Sequence, residues 1–315
     1  MASEDFVPVT ADDWYQRRRK DAEGEFFRKV ASQGPRKGEN DGTRQGIYVM
    51  TADGELLSFK NAGQNAEVTR DEIKRALAKF KNLPASRKNP GAVTVEPAGR
   101  LDPNYSRTPP PGGAILRTFT RILEKSGAAY SKGSCKTKGG DMAARDFAWF
   151  TAEEVRALVP AKAEVGFEYP LPKPIAERLT QFHLIDNTRG EPSFWTREQV
   201  RTSNFTLTVS AATAESIDLR LDGQATMATD ADIAKADRGY EVRVLGTLRY
   251  KPATGTLDRF ELTAIGEHWG DTDLTRGART GRTPLGVVFS LVVGEKPSDR
   301  VPPQGARESG RYFGK

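Results

Sequence analysis

The stretch of residues 240–269, YEVRVLGTLRYKPATGTLDRFELTAIGEHW, decides the fold of the C-terminal half of the chain. Apolar and polar residues alternate on both sides of the short segment PATG at 252–255. Alternation with a period of two is typical of a half-buried strand, and proline and glycine favour the turn that joins two such strands. We therefore predict an antiparallel hairpin here.

Segments with the same pattern lie on both sides of this hairpin. AILRTFTRIL at 114–123 is predicted as a separate strand. The segments around the hairpin are FTLTV at 205–209 and IDLRL at 217–221, which form one hairpin before it, and LGVVFSLVV at 285–293 after it. An isolated hairpin is only marginally stable in water, so we expect these strands to pair with it. Together they predict an antiparallel β-rich domain over residues 114–294, which curls into a barrel or packs as a sandwich.

The N-terminal segment has a mixed pattern. A helix is predicted over residues 10–33, followed by a β-hairpin over 46–63 that turns at Asp53 and Gly54. Thr69 and the glutamate three residues after it form a capping-box pattern, which predicts that a second helix starts there.

This order of helix, hairpin and helix over residues 8–82 resembles the thioredoxin fold, and Trp14 stands where that family carries Trp-Cys. The resemblance implies a small α/β unit over residues 1–83. Tyr15 and the residues QRR after it replace the two redox cysteines, and Arg44 lies where the family has a proline before the hairpin strand. We therefore expect a degenerate unit that lacks thiol–disulfide chemistry and serves in packing or binding.

Two further segments complete the predicted organisation. Residues 84–113 contain seven prolines and few large apolar side chains, which indicates a semi-rigid linker. Residues 295–315 are rich in proline and glycine, and we predict a flexible tail. The fold class is therefore α+β, with a thioredoxin-like unit, a linker, an antiparallel β domain and a tail.

Charge and composition narrow the classes of partner. The chain has 315 residues, with 48 basic and 42 acidic side chains and a formal net charge of +6. Because the two signs are mostly interspersed, a solvated surface is favoured over a nucleic-acid interface. The basic segment 117–138 has no aromatic residues interleaved with its lysines and arginines in the manner of a single-strand binding groove, so nucleic acid is a disfavoured partner.

Targeting signals are not found in the sequence. No run approaches the ~18 apolar residues of a membrane span, and the start MASEDFVPVT lacks the features of a signal peptide. We expect a soluble protein. The compartment stays open, and one interpretation is the mature form of an exported bacterial protein.

Three soft ligands suggest a metal site. Cys135, His183 and His268 are the only cysteine and histidines of the chain, and one thiolate with two imidazoles could hold copper or zinc. Their spacing matches no local metal motif, so such a site requires the fold to bring them together. The alternative for each histidine is a buried or capping role, with no cofactor.

The candidate ligand site lies at one end of the predicted β domain. We define the rim as the loops 186–195 and 266–284, because long connections at the mouth of a sheet often carry binding residues. An acid, an imidazole, an indole and three guanidiniums there could bind an anion. These candidate ligand-binding residues are Glu267, His268, Trp269, Arg276, Arg279 and Arg282.

With two histidines and no assembled catalytic set, the sequence favours a non-enzymatic binding or scaffold protein. Its expected partner is a small anionic molecule or another protein. The alternative is a metal-binding or redox-related protein that uses Cys135 with His183 and His268. The alternative to a ligand site at the rim is that its arginines pair with nearby carboxylates and have only a structural role.

Overall fold

The computed structural model describes residues 4–37, 42–61, 65–95, 97, 99–105, 107–124, 143–294 and 296–314. The chain divides into two compact units, residues 1–107 and 108–315. Helices and antiparallel sheets are both present, in agreement with the predicted α+β class.

The first unit contains a two-stranded antiparallel sheet and four helices. The helices are α1 (Asp13–Gln16), α2 (Ala22–Ala31), α3 (Ala66–Lys81) and α4 (Ala85–Lys88), and the strands are β1 (Ile47–Met50) and β2 (Leu56–Lys60). The single helix predicted over residues 10–33 is wrong, because the chain breaks between α1 and α2. Helix α3 begins earlier than predicted, since Asn65 rather than Thr69 caps it by accepting from the Glu67 and Val68 N–H groups.

Asp21 explains why the chain breaks between α1 and α2. Its side chain caps α2 by accepting from the Gly24 N–H and also pairs with Arg19 at 2.6 Å, both side chains being buried. Asp21 also accepts from the Asp102 N–H at 2.8 Å, and the Asp102 carboxylate accepts from the Lys20 N–H. Part of the segment predicted as a linker is thus held against the first unit rather than extended as a free spacer.

We expect Asp21→Asn to lower the stability of the first unit by about 2 kcal/mol, because hydrogen bonds to a charged group are worth roughly 1.5–3 kcal/mol. Amide hydrogen exchange of α2 measures the change. Asp71→Asn is the matched control, since Asp71 pairs with Arg70 at 3.5 Å in an exposed position and surface pairs contribute about 0–1 kcal/mol. Equal effects of the two substitutions would contradict the anchoring role of Asp21.

The second unit is built on one eight-stranded antiparallel sheet. Its order is β4-β3-β10-β9-β8-β7-β6-β5. The strands are β3 (Ala114–Ile122), β4 (Ala144–Phe150), β5 (Glu168–Pro170), β6 (Val200–Ala212), β7 (Ile217–Ala228), β8 (Gly239–Lys251), β9 (Thr256–Trp269) and β10 (Thr283–Leu291). The predicted 240–269 hairpin is β8 with β9. The segments predicted to pair around it are β6, β7 and β10, and the separate strand predicted at 114–123 is β3.

One face of this sheet forms the main core. Alternate residues of each long strand are buried there, among them Leu116, Leu207, Leu221, Val244 and Phe289. The ring centroids of Phe150 on β4 and Phe260 on β9 are 5.9 Å apart, although two strands separate β4 from β9. Since neighbouring strands are about 4.8 Å apart, the sheet must be strongly curved around its core.

The curved sheet does not close. Strands β4 and β5 are its two edges and do not pair with one another. The predicted antiparallel β-rich domain is confirmed, but the barrel form of the prediction is wrong, because the eight described strands form one sheet that is not a closed barrel. The closing elements are helical: α5 (Ala152–Ala157), α6 (Lys173–Arg178) and a turn of π-helix, Leu179–His183, contribute side chains to the core.

The C-terminal segment covers the β4 edge. After two short 3-10 turns it ends in α7 (Ser309–Tyr312), and Tyr312 is 1% exposed. The Tyr312 hydroxyl accepts from the Trp149 N–H at 3.1 Å, so it satisfies a donor on the free edge of β4. This packing differs from the predicted flexible tail, because Tyr312 and Phe313 supply apolar surface that a count of prolines and glycines does not weigh.

Within the described residues, no helix has both the length and the apolar character needed to cross a lipid bilayer.

Candidate functional site

The two loops of the rim meet at one end of the large sheet, and Arg189 joins them. This side chain is 3% exposed. Its Nε donates to Asp186 Oδ2 at 2.9 Å, and its terminal nitrogens donate to the Thr275 and Gly270 carbonyls of the other loop. Gly190 permits the contact, since a Cβ there would lie 2.2 Å from the Leu274 carbonyl oxygen.

A small pocket lies beneath this junction. Its volume is about 10 Å³, which is the space needed for roughly one water molecule. The wall combines apolar side chains from β3 and β10 with polar side chains from the rim. The lining residues are Ile122, Asp186, Arg189, His268, Ala278, Arg279, Thr283, Pro284 and Leu285.

His268 is the polar group of this wall that lacks a partner. It lies on the core face of β9 and is 5% exposed. Its backbone carbonyl accepts from Thr283 Oγ1, but no hydrogen bond from any described residue reaches its imidazole. The imidazole lines the pocket without such a bond, so it is available to a ligand there.

Burial sets the charge state of the pocket. Burial lowers the pKa of His268, and the negative charge of Asp186 partly offsets this effect. The positive charges of Arg189 and Arg238 lower the pKa further, to a final value of about 4. Burial alone would raise the pKa of Asp186, but the attraction of His268, the hydrogen bonds from Thr188 and the charge of Arg189 bring it below the usual value. At pH 7 the imidazole is therefore neutral and the carboxylate is ionised.

Arg238 adds a second buried positive charge behind this wall. It is 6% exposed, its Cζ lies 3.8 Å from the centre of the Trp195 ring, and its Nη2 donates to the Ser193 carbonyl at 2.7 Å. It forms no ion pair with the residues that the structure describes. Burial lowers the pKa of Arg238 to about 10, so the guanidinium remains charged at neutral pH.

Of the six predicted ligand-binding residues, only His268 and Arg279 reach the pocket. Arg279 donates to the carbonyls of Leu123 and Pro284, each at 3.1 Å, which fixes its guanidinium beside the wall. Arg276 lies far out in solvent, 3.6 Å from the exposed Asp273.

The remaining three predicted residues lie on the opposite face of the sheet. Arg282 pairs with Glu241, approaches Glu267 at 3.9 Å, and lies over the Trp269 ring at 4.1 Å. Trp269 donates its indole N–H to the Ala236 carbonyl. Neighbouring strand residues point to opposite faces, so Glu267 and Trp269 do not share a site with His268.

The structure does not bring the predicted metal ligands together. Cys135 lies outside the described residues. His183 contacts Phe289, whereas His268 pairs across the sheet with Thr283. These two β10 residues are six positions apart, about 20 Å along a strand. No group of three potential metal ligands occurs among the described residues.

His183 belongs to a separate buried cluster. Its Nε2 lies 2.9 Å from the Tyr312 hydroxyl, and burial followed by the charge of Arg178 lowers its pKa to about 3. Both side chains are buried, His183 at 3% and Tyr312 at 1% exposure, and the C-terminal segment packs over them. We assign it a structural role.

The sequence analysis missed three charged residues that form or support the pocket. These residues are Asp186, Arg189 and Arg238. Asp186 and Arg189 fall in the loop 186–195, which was predicted as part of the rim without named ligands. Arg238 precedes β8 directly, and a lone arginine at the start of an apolar strand was the available signal for it.

No family model, curated protein or solved structure shows a significant match to this chain.

Proposed function

We propose that the chain is a non-enzymatic binding protein, and that its site is the His268 pocket at the rim. The observation that carries this proposal is a buried imidazole without a hydrogen-bond partner among the described residues, which lines a pocket together with two arginines. The Asp186 carboxylate in the same wall is already paired with Arg189. The charge of Arg279 and the N–H of the neutral imidazole therefore face the ligand, so the matching ligand group is an anion.

The same geometry favours binding over scaffolding by a flat surface. The Arg189 contacts hold the two loops in one arrangement before any ligand arrives, because its donors already bind Asp186, Gly270 and Thr275. A preformed site loses little conformational entropy on binding. A metal site built from Cys135, His183 and His268 has no comparable support, since His183 lies on the π-helical turn near Phe289 and His268 lies on β9 beside Thr283.

Nuclear magnetic resonance of the ¹⁵N-labelled chain tests the proposal. We expect a panel of chloride, formate, acetate, succinate, phosphate and sulfate to include at least one anion that shifts backbone amides of 186–190, 268 and 275–285 saturably. Arg276→Gln is the matched control and should bind as the wild type does, because Arg276 lies outside the pocket. Shifts confined to other regions, or none with any anion, would refute the site.

A further inference from the structure

The charges buried around the His268 pocket do not balance. Arg189 and Arg238 are both at least nine-tenths buried, and Asp186 is the one carboxylate buried to the same degree beside them. The next acid, Asp271, is 43% exposed and lies 3.9 Å from Arg189. Since an uncompensated buried charge is strongly unfavourable, this region lacks one negative charge.

Asp186 does not neutralise Arg238, because its oxygens are already engaged. Oδ1 accepts from the Thr188 N–H at 2.9 Å and from the Thr188 hydroxyl at 2.6 Å, and Oδ2 accepts from Arg189 at 2.9 Å. Arg238 interacts with Asp186 only through the longer-range field. The positive charge of Arg238 acts on His268, whose pKa it helps to lower.

The size of the pocket limits the anion. A volume of about 10 Å³ leaves room for roughly one atom of the size of a water oxygen or slightly larger. A tetrahedral phosphate or sulfate has four oxygens around its centre and does not enter such a space. A chloride ion or one oxygen of a carboxylate does, and the neutral His268 ring has one N–H to donate to it.

From this geometry we infer that the pocket binds a single monovalent anion, either chloride or the carboxylate of a ligand that inserts one oxygen beside His268. The positive charge that attracts this anion comes from Arg189, Arg238 and Arg279. The inference rests on the proposed function and narrows it, because it excludes divalent oxyanions from the same site.

The test is an NMR titration at pH 7 and constant ionic strength with chloride, formate and phosphate. Saturable shifts at the pocket with chloride or formate, and none with phosphate, are expected. Binding of both monoanions would be competitive; binding of formate alone would identify a carboxylate site, and binding of chloride alone a halide site. Phosphate binding without either monoanion would overturn this inference and leave the proposed function standing. If neither these three anions nor any other anion of the panel shifts the pocket amides, both this inference and the proposed function are refuted.

Arg238→Met separates a site from general salt effects. The methionine keeps apolar contact with Trp195 and removes the charge, so we expect at least tenfold weaker binding of the monoanion. Arg243→Met is the matched control, because Arg243 is an exposed arginine on β8, the strand that Arg238 precedes. The affinity of this variant should equal that of the wild type. Unchanged affinity in Arg238→Met would overturn the assigned role of Arg238.

A halide series on the wild-type chain keeps the inference falsifiable if Arg238→Met does not fold. Affinity should fall from chloride to bromide to iodide, because a pocket this small accommodates the larger halides less well. Weak association of halides with exposed protein surface follows the reverse order. An affinity that rises toward iodide, or no halide binding together with no formate binding, would therefore refute the size argument.

Discussion

Arg178→Met should lower the free energy of unfolding of the second unit by about 3–5 kcal/mol, the usual cost of removing one partner from a buried ion pair. Arg178 is 2% exposed and forms two 2.6 Å contacts with the Glu154 carboxylate. It also donates to the backbone carbonyls of Trp149 and Tyr312. The substitution leaves the Glu154 carboxylate, whose side chain is 11% exposed, without its counter-charge. It also detaches the C-terminal segment from β4.

Urea unfolding, followed by the fluorescence of the tryptophans in the second unit, measures this loss. Arg156→Met is the matched control: Arg156 lies on α5 and pairs with Glu153 at 3.5 Å in an exposed position, so about 0–1 kcal/mol is expected. The double substitution Arg178→Met with Glu154→Met should recover part of the stability, since no charge remains buried. If Arg178→Met lowers the free energy of unfolding by less than Arg156→Met does, the stabilising role of the Arg178 contacts is refuted.

Acidification from pH 7 to pH 5 should lower the free energy of unfolding by about 4 kcal/mol in the same unit, because each buried neutral histidine contributes about 1.4 kcal/mol per pH unit. The folded pKa is about 3 for His183 and about 4 for His268, both below the value near 6.5 of an unfolded histidine. Between pH 7 and pH 5 the two histidines therefore bind protons in the unfolded chain but remain neutral in the folded chain. This stability is fully present above pH 6.5 and is lost as the pH falls toward the folded values.

Denaturant unfolding at pH 7, 6 and 5 measures how steeply the free energy of unfolding falls with pH. The chain has only two histidines, so His183→Gln and His268→Gln should each remove about half of it, and the double variant should remove it almost entirely. Glutamine retains hydrogen-bonding capacity but does not titrate in this range. A wild-type stability that stays constant between pH 7 and 5 would show that neither imidazole is held neutral by burial.

Much of the second unit could be predicted because its signals are local. The alternation of β8 and β9 and the turn between them lie within one stretch of thirty residues, and Thr151 forms the capping box at α5 that its sequence predicts. Closure could not be predicted in this way. Whether a curved sheet joins its edges depends on what covers them, and here Tyr312 occupies the β4 edge from more than 160 residues away.

The pocket shows the same limit. His268 and Arg279 were candidates because they belong to one loop region, and both line the pocket. Asp186 enters the site from another loop, so no spacing rule connects it with His268. Alternation along β9 also matters, because it places His268 on one face of the sheet and Glu267 and Trp269 on the other. These three residues are adjacent in the sequence and were therefore predicted as one site. The thioredoxin resemblance of the first unit stays a prediction.

The pairing of β3 with β10 has a consequence for the order in which the sheet assembles. Strands β6 to β9 are joined by short turns, so each pairs with its successor at low entropic cost. Ile122 of β3 instead pairs with Leu285 of β10, which closes a loop of roughly 160 residues and carries the corresponding entropy loss. We expect the local meander to form first and the β3–β4 hairpin to dock late, making docking the slow step in refolding.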